Sequence, residues 1–285
     1  MDGAAPSLEA VRWAAAEADQ RHASLQLVLA YHWRVPLTAF APSAELTETA
    51  QHLASDVVND AAREALQVAP GIDVAATAMF GHPVQTLLRA AADAAMLVVG
   101  TRGRHGIAGA VLGSVSQQVA MHATCPVAVV RGQVHPTGGV VVGVDSSRCA
   151  AQVTNSAFVE ARQRGRHLLA VRAVETPMAP CTVGMPPLMY DTAEVRRSLT
   201  DEATRLVAAV GARYPDVQWE VHGVDGDAAS VLVHWTRDAQ LIVVGSRGHG
   251  GFTGLLLGSV GLHLLYGAEC PVLIARDGMD SGGDA

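Results

Sequence analysis

Residues 241–260 read LIVVGSRGHGGFTGLLLGSV, and residues 96–115, 145 positions earlier, read MLVVGTRGRHGIAGAVLGSV. A chain that carries one such pattern twice, with its surroundings in register, has to fold as two copies of one unit. The register holds without a gap from residue 81 on. Gly81 answers to Gly226, Asp93 to Asp238, Cys125-Pro126 to Cys270-Pro271 and Arg131 to Arg276. Each copy is an apolar run ending on Gly, then a glycine-punctuated loop, then Gly-Ser opening a periodic apolar segment. The run reads as a strand buried on both faces and the segment as a helix. Strands alternating with helices at this length predict parallel α/β units.

The rest of the chain fits that frame. In the first half the pattern predicts a helix over 7–19 with Ser7 as its cap, and a strand over 25–30. A loop over 33–43 is followed by a helix over 44–68 with Leu46, Leu53, Val57, Ala61 and Leu66 on one side. A strand over 72–79, a helix over 84–94, a strand over 96–99, a helix from Ser114 to about His122 and a strand over 125–130 complete it. The second half repeats the order: strand 140–144, helix 149–164, strand 168–174, loop 175–188, helix 190–212, strand 217–224, helix 228–238, strand 241–244, helix 259–267 and strand 271–275. The expected domains are 1–134 and 135–277, joined across Gly132–Gly139, with a polar tail at 278–285.

The halves differ at their starts. Asp145 follows the buried run Val140–Val144, whereas Asp2, its counterpart, follows only Met1. The first domain is therefore expected to lack its opening strand, which is central in a doubly wound sheet, leaving ladder groups unpaired on both neighbours. Nothing in the sequence would then fix Asp2. A misplaced chain start, with a GTG valine codon read as initiator, is the expected cause.

A strand that ends on Gly, a Gly-rich loop and a Gly-Ser helix start are together suited to hold phosphate. Glycine lets the backbone approach a ligand and turn its N–H groups inward, and the helix start adds open amides and a positive dipole end. All 20 basic residues are Arg, with no Lys. That excludes a Walker-type loop, a protein kinase and Schiff-base chemistry in their usual forms. Charge on a bound phosphate would have to be met by main-chain amides, Ser114 or Ser259, the loop residues Arg102, Arg104 and Arg247, and Mg2+. His105 and His249 lie in the same loops without a carboxylate partner in sequence and read as solvent-facing. The formal net charge is −7 and neither half is basic, which argues against nucleic acid. No apolar run reaches the ~18 residues of a membrane span. Cys125, Cys149, Cys181 and Cys270 have no C-x-x-C spacing and read as reduced thiols of a cytoplasmic protein.

On these residues the chain resembles the universal stress protein family, specifically its tandem, ATP-binding, actinobacterial type. The resemblance implies two tandem doubly wound parallel-sheet domains of the adenine nucleotide alpha hydrolase-like kind. It also implies a nucleotide site in each. In the second domain the matching positions are Asp145 beside the nucleoside, Ala173 near the adenine, Val244, and the ribose- and phosphate-binding Gly245, Gly248, Gly258, Ser259 and Val260. In the first they are Asp2, Ala30, Val99, Gly100, Gly103, Gly113, Ser114 and Val115. The implied cofactor is ATP with Mg2+. The implied role is regulation of a stress or dormancy response through a protein partner, with a homodimer or an intrachain pairing built on the edge strands Val127–Val130 and Val272–Ala275. A slow ATPase or autophosphorylating protein, and a scaffold without nucleotide, are the alternatives. The sequence offers no general base for turnover.

Overall fold

The computed structural model describes residues 1–32, 44–101, 112–175, 191–248 and 257–276. It falls into two compact units, Met1–Arg131 and Gly132–Met279. The loop expected at 33–43 and the tail at 278–285 lie outside the described residues, as does nearly all of the loop at 175–188.

The first unit runs α1 (Ala5–Gln20), β1 (Leu25–Tyr31), α2 (Ala44–Val68), β2 (Val74–Phe80), α3 (Pro83–Ala90), β3 (Leu97–Gly100), α4 (Ser114–His122) and β4 (Val127–Val130). Strand β1 pairs in parallel with β2, and β3 in parallel with β4. Among the described residues no strand of this unit stands between β1 and β3. Instead the two walls enclose a largely apolar cleft of about 1610 Å3.

The second unit runs β5 (Val140–Gly143), α5 (Ala150–Arg164), β6 (Leu168–Val174), α6 (Thr192–Gly211), β7 (Trp219–Asp225), α7 (Ala228–Trp235), β8 (Leu241–Gly245), α8 (Ser259–Gly267) and β9 (Val272–Ala275). Its five strands are parallel in the order β9-β8-β5-β6-β7. Helices α5 and α6 pack together, as do α7 and α8. The continuous Val, Ile and Leu runs of β5, β8 and β9 are buried from end to end, as strands covered on both faces require. The stretch Gly132–Gly139, expected as a linker, is fastened to this unit. Gly132 takes a left-handed φ of 62°, and the Gln133 N–H donates to the Glu269 carbonyl at 2.9 Å.

The two units repeat each other down to single bonds. Gly165 ends α5 in the left-handed region at φ 59°, and its counterpart after α1, His22, does so at φ 51° without glycine's freedom. Buried Glu17–Arg21 (2.6 Å) in α1 answers to Glu160–Arg164 in α5.

The start of the first unit is better held than its sequence suggests. The Met1 ammonium donates to the Val28 carbonyl at 2.7 Å, the bond that Val144 N–H makes to Val171 at 3.0 Å in the second unit. The Asp2 carboxylate accepts from Ala4 N–H at 3.1 Å, matching Asp145 and Ser147 at 3.1 Å. Asp2 is thus held by a local turn.

Two other expectations need correction. Helix α1 starts at Ala5 with Pro6 in its first turn and no side-chain cap. Ser7 lies inside it, and its hydroxyl accepts from Asp2 N–H at 3.1 Å. In α2 the buried seam is Ala54, Val58, Ala61 and Ala65, while Leu46, Leu53 and Leu66 are exposed. Small side chains let this helix approach α1 and the strands closely, so the larger residues turn outward.

Candidate functional site

The strand order of the second unit reverses at β5. The chain passes from β5 to β6 and β7 on one side, then to β8 and β9 on the other. In open parallel sheets such a reversal leaves a crevice at the carboxyl ends of the strands. Asp145 follows β5 at this crevice, Gly245 ends β8, and Ala173 stands near the end of β6. By register Ala173 and Val244 point to the same sheet face as Gly143. Ala173 is half-buried and Val244 is buried.

The loop leaving β8 folds back across this opening. A Cβ on Gly248 would stand 2.9 Å from Asp145 Oδ2, so the main chain there rests on the carboxylate and only glycine fits without displacing it. The Gly258 N–H donates to the Ser246 carbonyl at 2.8 Å, which brings the start of α8 to the same place. Gly258 is the N-cap of α8 and no side chain caps the helix. Among the described residues a Cβ at Gly258 would meet nothing closer than 3.7 Å, so their packing does not demand glycine there. Its missing side chain leaves the approach to the amides of Ser259 and Val260 open. Ser259 is exposed and Val260 half-buried. Open first-turn amides and a positive dipole end receive an anion. Arg247 is exposed at the rim of the crevice.

Gly245 is a different case. A Cβ on it would press on Val153 Cγ2 and the Arg247 carbonyl, both at 3.0 Å, so its smallness serves the packing of α5 and the turn.

Sequence reasoning missed what holds the Asp145 turn from the other face. The Arg172 guanidinium donates to the Val144 carbonyl at 3.3 Å and to the Ser146 hydroxyl at 3.0 Å. Neither partner is near Arg172 in the chain, so no local pattern announces the contact.

The first unit repeats the helix-start half of this arrangement. Gly113 N–H donates to the Thr101 carbonyl, and Leu112–Ser116 show the same alternation of burial as Leu257–Gly261, with Ser114 exposed and Val115 half-buried. Gly100 serves packing: a Cβ there would lie 2.6 Å from the Pro6 carbonyl oxygen in the first turn of α1. Asp2, Ala30 and Val99 stand at the ends of their segments as their counterparts do, each half-buried. Gly103, Arg102, Arg104, His105 and His249 lie outside the described residues.

Among the described residues no group of three His, Cys, Asp or Glu side chains converges to hold a metal ion. Cys125 and Cys270 are buried and Cys149 is half-buried. No helix among the described residues is long and apolar enough to cross a membrane.

Comparison with known proteins gives concordant matches. The Universal stress protein family model matches residues 1–131 and 138–276. A universal stress protein of Mycobacterium tuberculosis is 34% identical over 303 aligned positions, covering 97% of this chain and 93% of that protein. One from Mycolicibacterium smegmatis is 32% identical over 288 positions, with 97% and 95% covered. Among solved structures, a universal stress protein from Archaeoglobus fulgidus superposes with a TM-score of 0.71 at 19% identity, over 96% of each chain, a likeness of fold.

Proposed function

The chain belongs to the universal stress protein family, and from that premise we propose that it binds ATP with Mg2+ at the strand-end crevice of each unit, the second unit foremost. The bound nucleotide sets the conformation that a protein partner reads in a stress or dormancy response. The observation that supports this most is the contact between Gly248 and the Asp145 carboxylate beside the uncapped start of α8. It gathers an acceptor for nucleoside hydroxyls and open donors for phosphate within one crevice of a lysine-free chain.

In this reading Asp145 accepts from the nucleoside, and the half-buried Ala173 leaves room for a flat base beside β6. The amides of Ser259 and Val260, with the Ser259 hydroxyl, take the phosphates, and Gly258 leaves the approach to them clear. Arg247 and Mg2+ supply the remaining positive charge, the ion neutralising adjacent phosphate oxygens when bound. In the first unit Asp2, Ala30, Val99, Gly113, Ser114 and Val115 play the same parts. The protein acts by binding and release from the cytoplasm, and homodimer formation through β4 or β9, the last strand of either unit, belongs to the same proposal.

Native mass spectrometry of protein purified without added nucleotide tests it. ATP is the expected co-purifying ligand. ADP alone would point to turnover, and protein that neither carries nucleotide nor takes up added MgATP would leave the scaffold reading.

A further inference from the structure

The two units match in backbone but differ in chemistry where β1 and β2, and likewise β6 and β7, come to their ends. In the first unit the Gly81 N–H donates to the Tyr31 carbonyl at 2.9 Å, and in the second the Gly226 N–H donates to the Val174 carbonyl at 3.0 Å. Tyr31 is in register with Phe80, and Val174 with Asp225. His32 and His82 therefore stand where the second unit has Glu175 and Asp227. Those two acids are committed to the start of α7. Glu175 Oε1 accepts from Ala228 N–H at 3.3 Å, and Asp227 Oδ2 from Ser230 N–H at 2.8 Å. His82 holds the same N-cap position on α3, but its side chain makes no capping bond. Its ring lies beside that of His32 instead, with centroids 5.7 Å apart and planes tilted by 41°. Both histidines are exposed. Their main chains are held in place by the Gly81–Tyr31 bond, by Pro83 at the start of α3 and by the edge-to-face contact of Tyr31 with Phe80.

We infer that His32 and His82 form a two-imidazole site for a borderline divalent transition ion, of the zinc or copper kind, with water in the remaining positions. Two imidazoles that share one ion at ~2.0–2.1 Å per nitrogen have ring centroids roughly 4.5–5.5 Å apart, depending on the angle at the metal. The observed spacing lies just outside that range, and small rotations of two exposed side chains close the difference. Imidazole nitrogen suits zinc, copper and nickel, whereas Mg2+ and Ca2+ take oxygen ligands. The ion joins the end of β1 to the start of α3. The second unit is not expected to take it at the matching place, because carboxylates stand there and are bound to helix amides. The site needs no nucleotide, so it can fail or hold separately from the proposed ATP sites.

The test uses the untagged 285-residue chain, stripped of metal with a chelator and free of nucleotide, with Zn2+ as the probe. Calorimetric titration is expected to show a site that His32→Gln and His82→Asn each weaken at least about tenfold, since losing a ligand costs no less than losing a group that supports one. The double variant should be little worse than either single one, because a lone imidazole no longer chelates. Asn keeps an acceptor at the N-cap, and the metal-free unfolding midpoints should stay near that of the parent. His122→Asn, at an exposed histidine at the end of α4, should bind as the parent does. Zn2+ at ~100 times its Kd is expected to raise the midpoint of the first unit by on the order of 5 °C, and millimolar Mg2+ should leave the titration unchanged. In the parent itself, Zn2+ should shift the ring NMR signals of His32 and His82 together, a readout that needs no variant. No Zn2+ binding below millimolar concentration, binding untouched by both variants, a loss confined to one of them, or ring shifts only at other histidines would overturn the inference.

Discussion

Replacing Gly248 by Ala adds one methyl group at the point where the loop after β8 rests on Asp145. That methyl would stand 2.9 Å from Asp145 Oδ2, inside the distance real Cβ atoms keep. The carboxylate is the end of a half-buried side chain and can swing aside, so the fold itself should lose less than ~1 kcal/mol. What it cannot do is swing aside and still accept from a nucleoside in the crevice. A charge-assisted hydrogen bond contributes about 1.5–3 kcal/mol, which corresponds to about 10- to 100-fold in Kd. Calorimetric titration with MgATP should therefore show that loss at the second unit, while the thermal midpoint without nucleotide moves little. A double-mutant cycle isolates the route. If Gly248→Ala acts by displacing Asp145, it should add almost nothing in an Asp145→Ala background. Unchanged affinity in the single variant, or fully additive losses in the cycle, would refute the reasoning.

Further expectations concern the frame. His22→Gly removes a left-handed conformation from a side-chain-bearing residue and should stabilise the first unit by about 1 kcal/mol, read by chemical denaturation. Gly132→Ala should be severely destabilising, because φ is 62° and the added Cβ would lie 1.9 Å from the Glu269 carbonyl oxygen; a variant as stable as the parent would contradict the packing described. Asp227 caps α7 by accepting from Ser230 N–H at 2.8 Å, so Asp227→Ala should cost about 1 kcal/mol near neutral pH. Hydrogen bonds from the Ser230 N–H and hydroxyl hold the Asp227 carboxyl below its ordinary value of 3.8. Its contribution is complete above that value and is lost as pH falls through the lower folded-state pKa. The gap between parent and variant should thus narrow in strong acid, and a gap that widened there would be contrary to the sign.

The duplication made most of the fold legible. Buried strands ending on glycine and the paired loops placed both sheets, because identical spacing in two copies leaves few ways to connect them. The gap between β1 and β3 among the described residues was legible too, from Asp2 lacking the run that precedes Asp145. What local pattern could not give were contacts between distant segments. The Gly248–Asp145 contact and the Arg172 clamp on the Asp145 turn join residues that share no periodicity. The seam of α2 was misread because its leucines are more apolar than its alanines, yet close helix packing selects the small residues 54, 61 and 65. The glycines also divide by cause: Gly100 and Gly245 are small because neighbouring chain presses on them, whereas Gly258 has room around it among the described residues. Sequence spacing alone treats all of them alike.

The central claim is that strand ends and an uncapped helix start, without any lysine, hold an adenine nucleotide. Hydrogen exchange of the intact chain with and without MgATP tests it most directly. The account predicts new protection at Asp145–Ser147, Gly245–Gly248 and Leu257–Gly261, with the weaker counterpart at Leu112–Ser116. Protection confined to other segments, or none at millimolar MgATP, would contradict it.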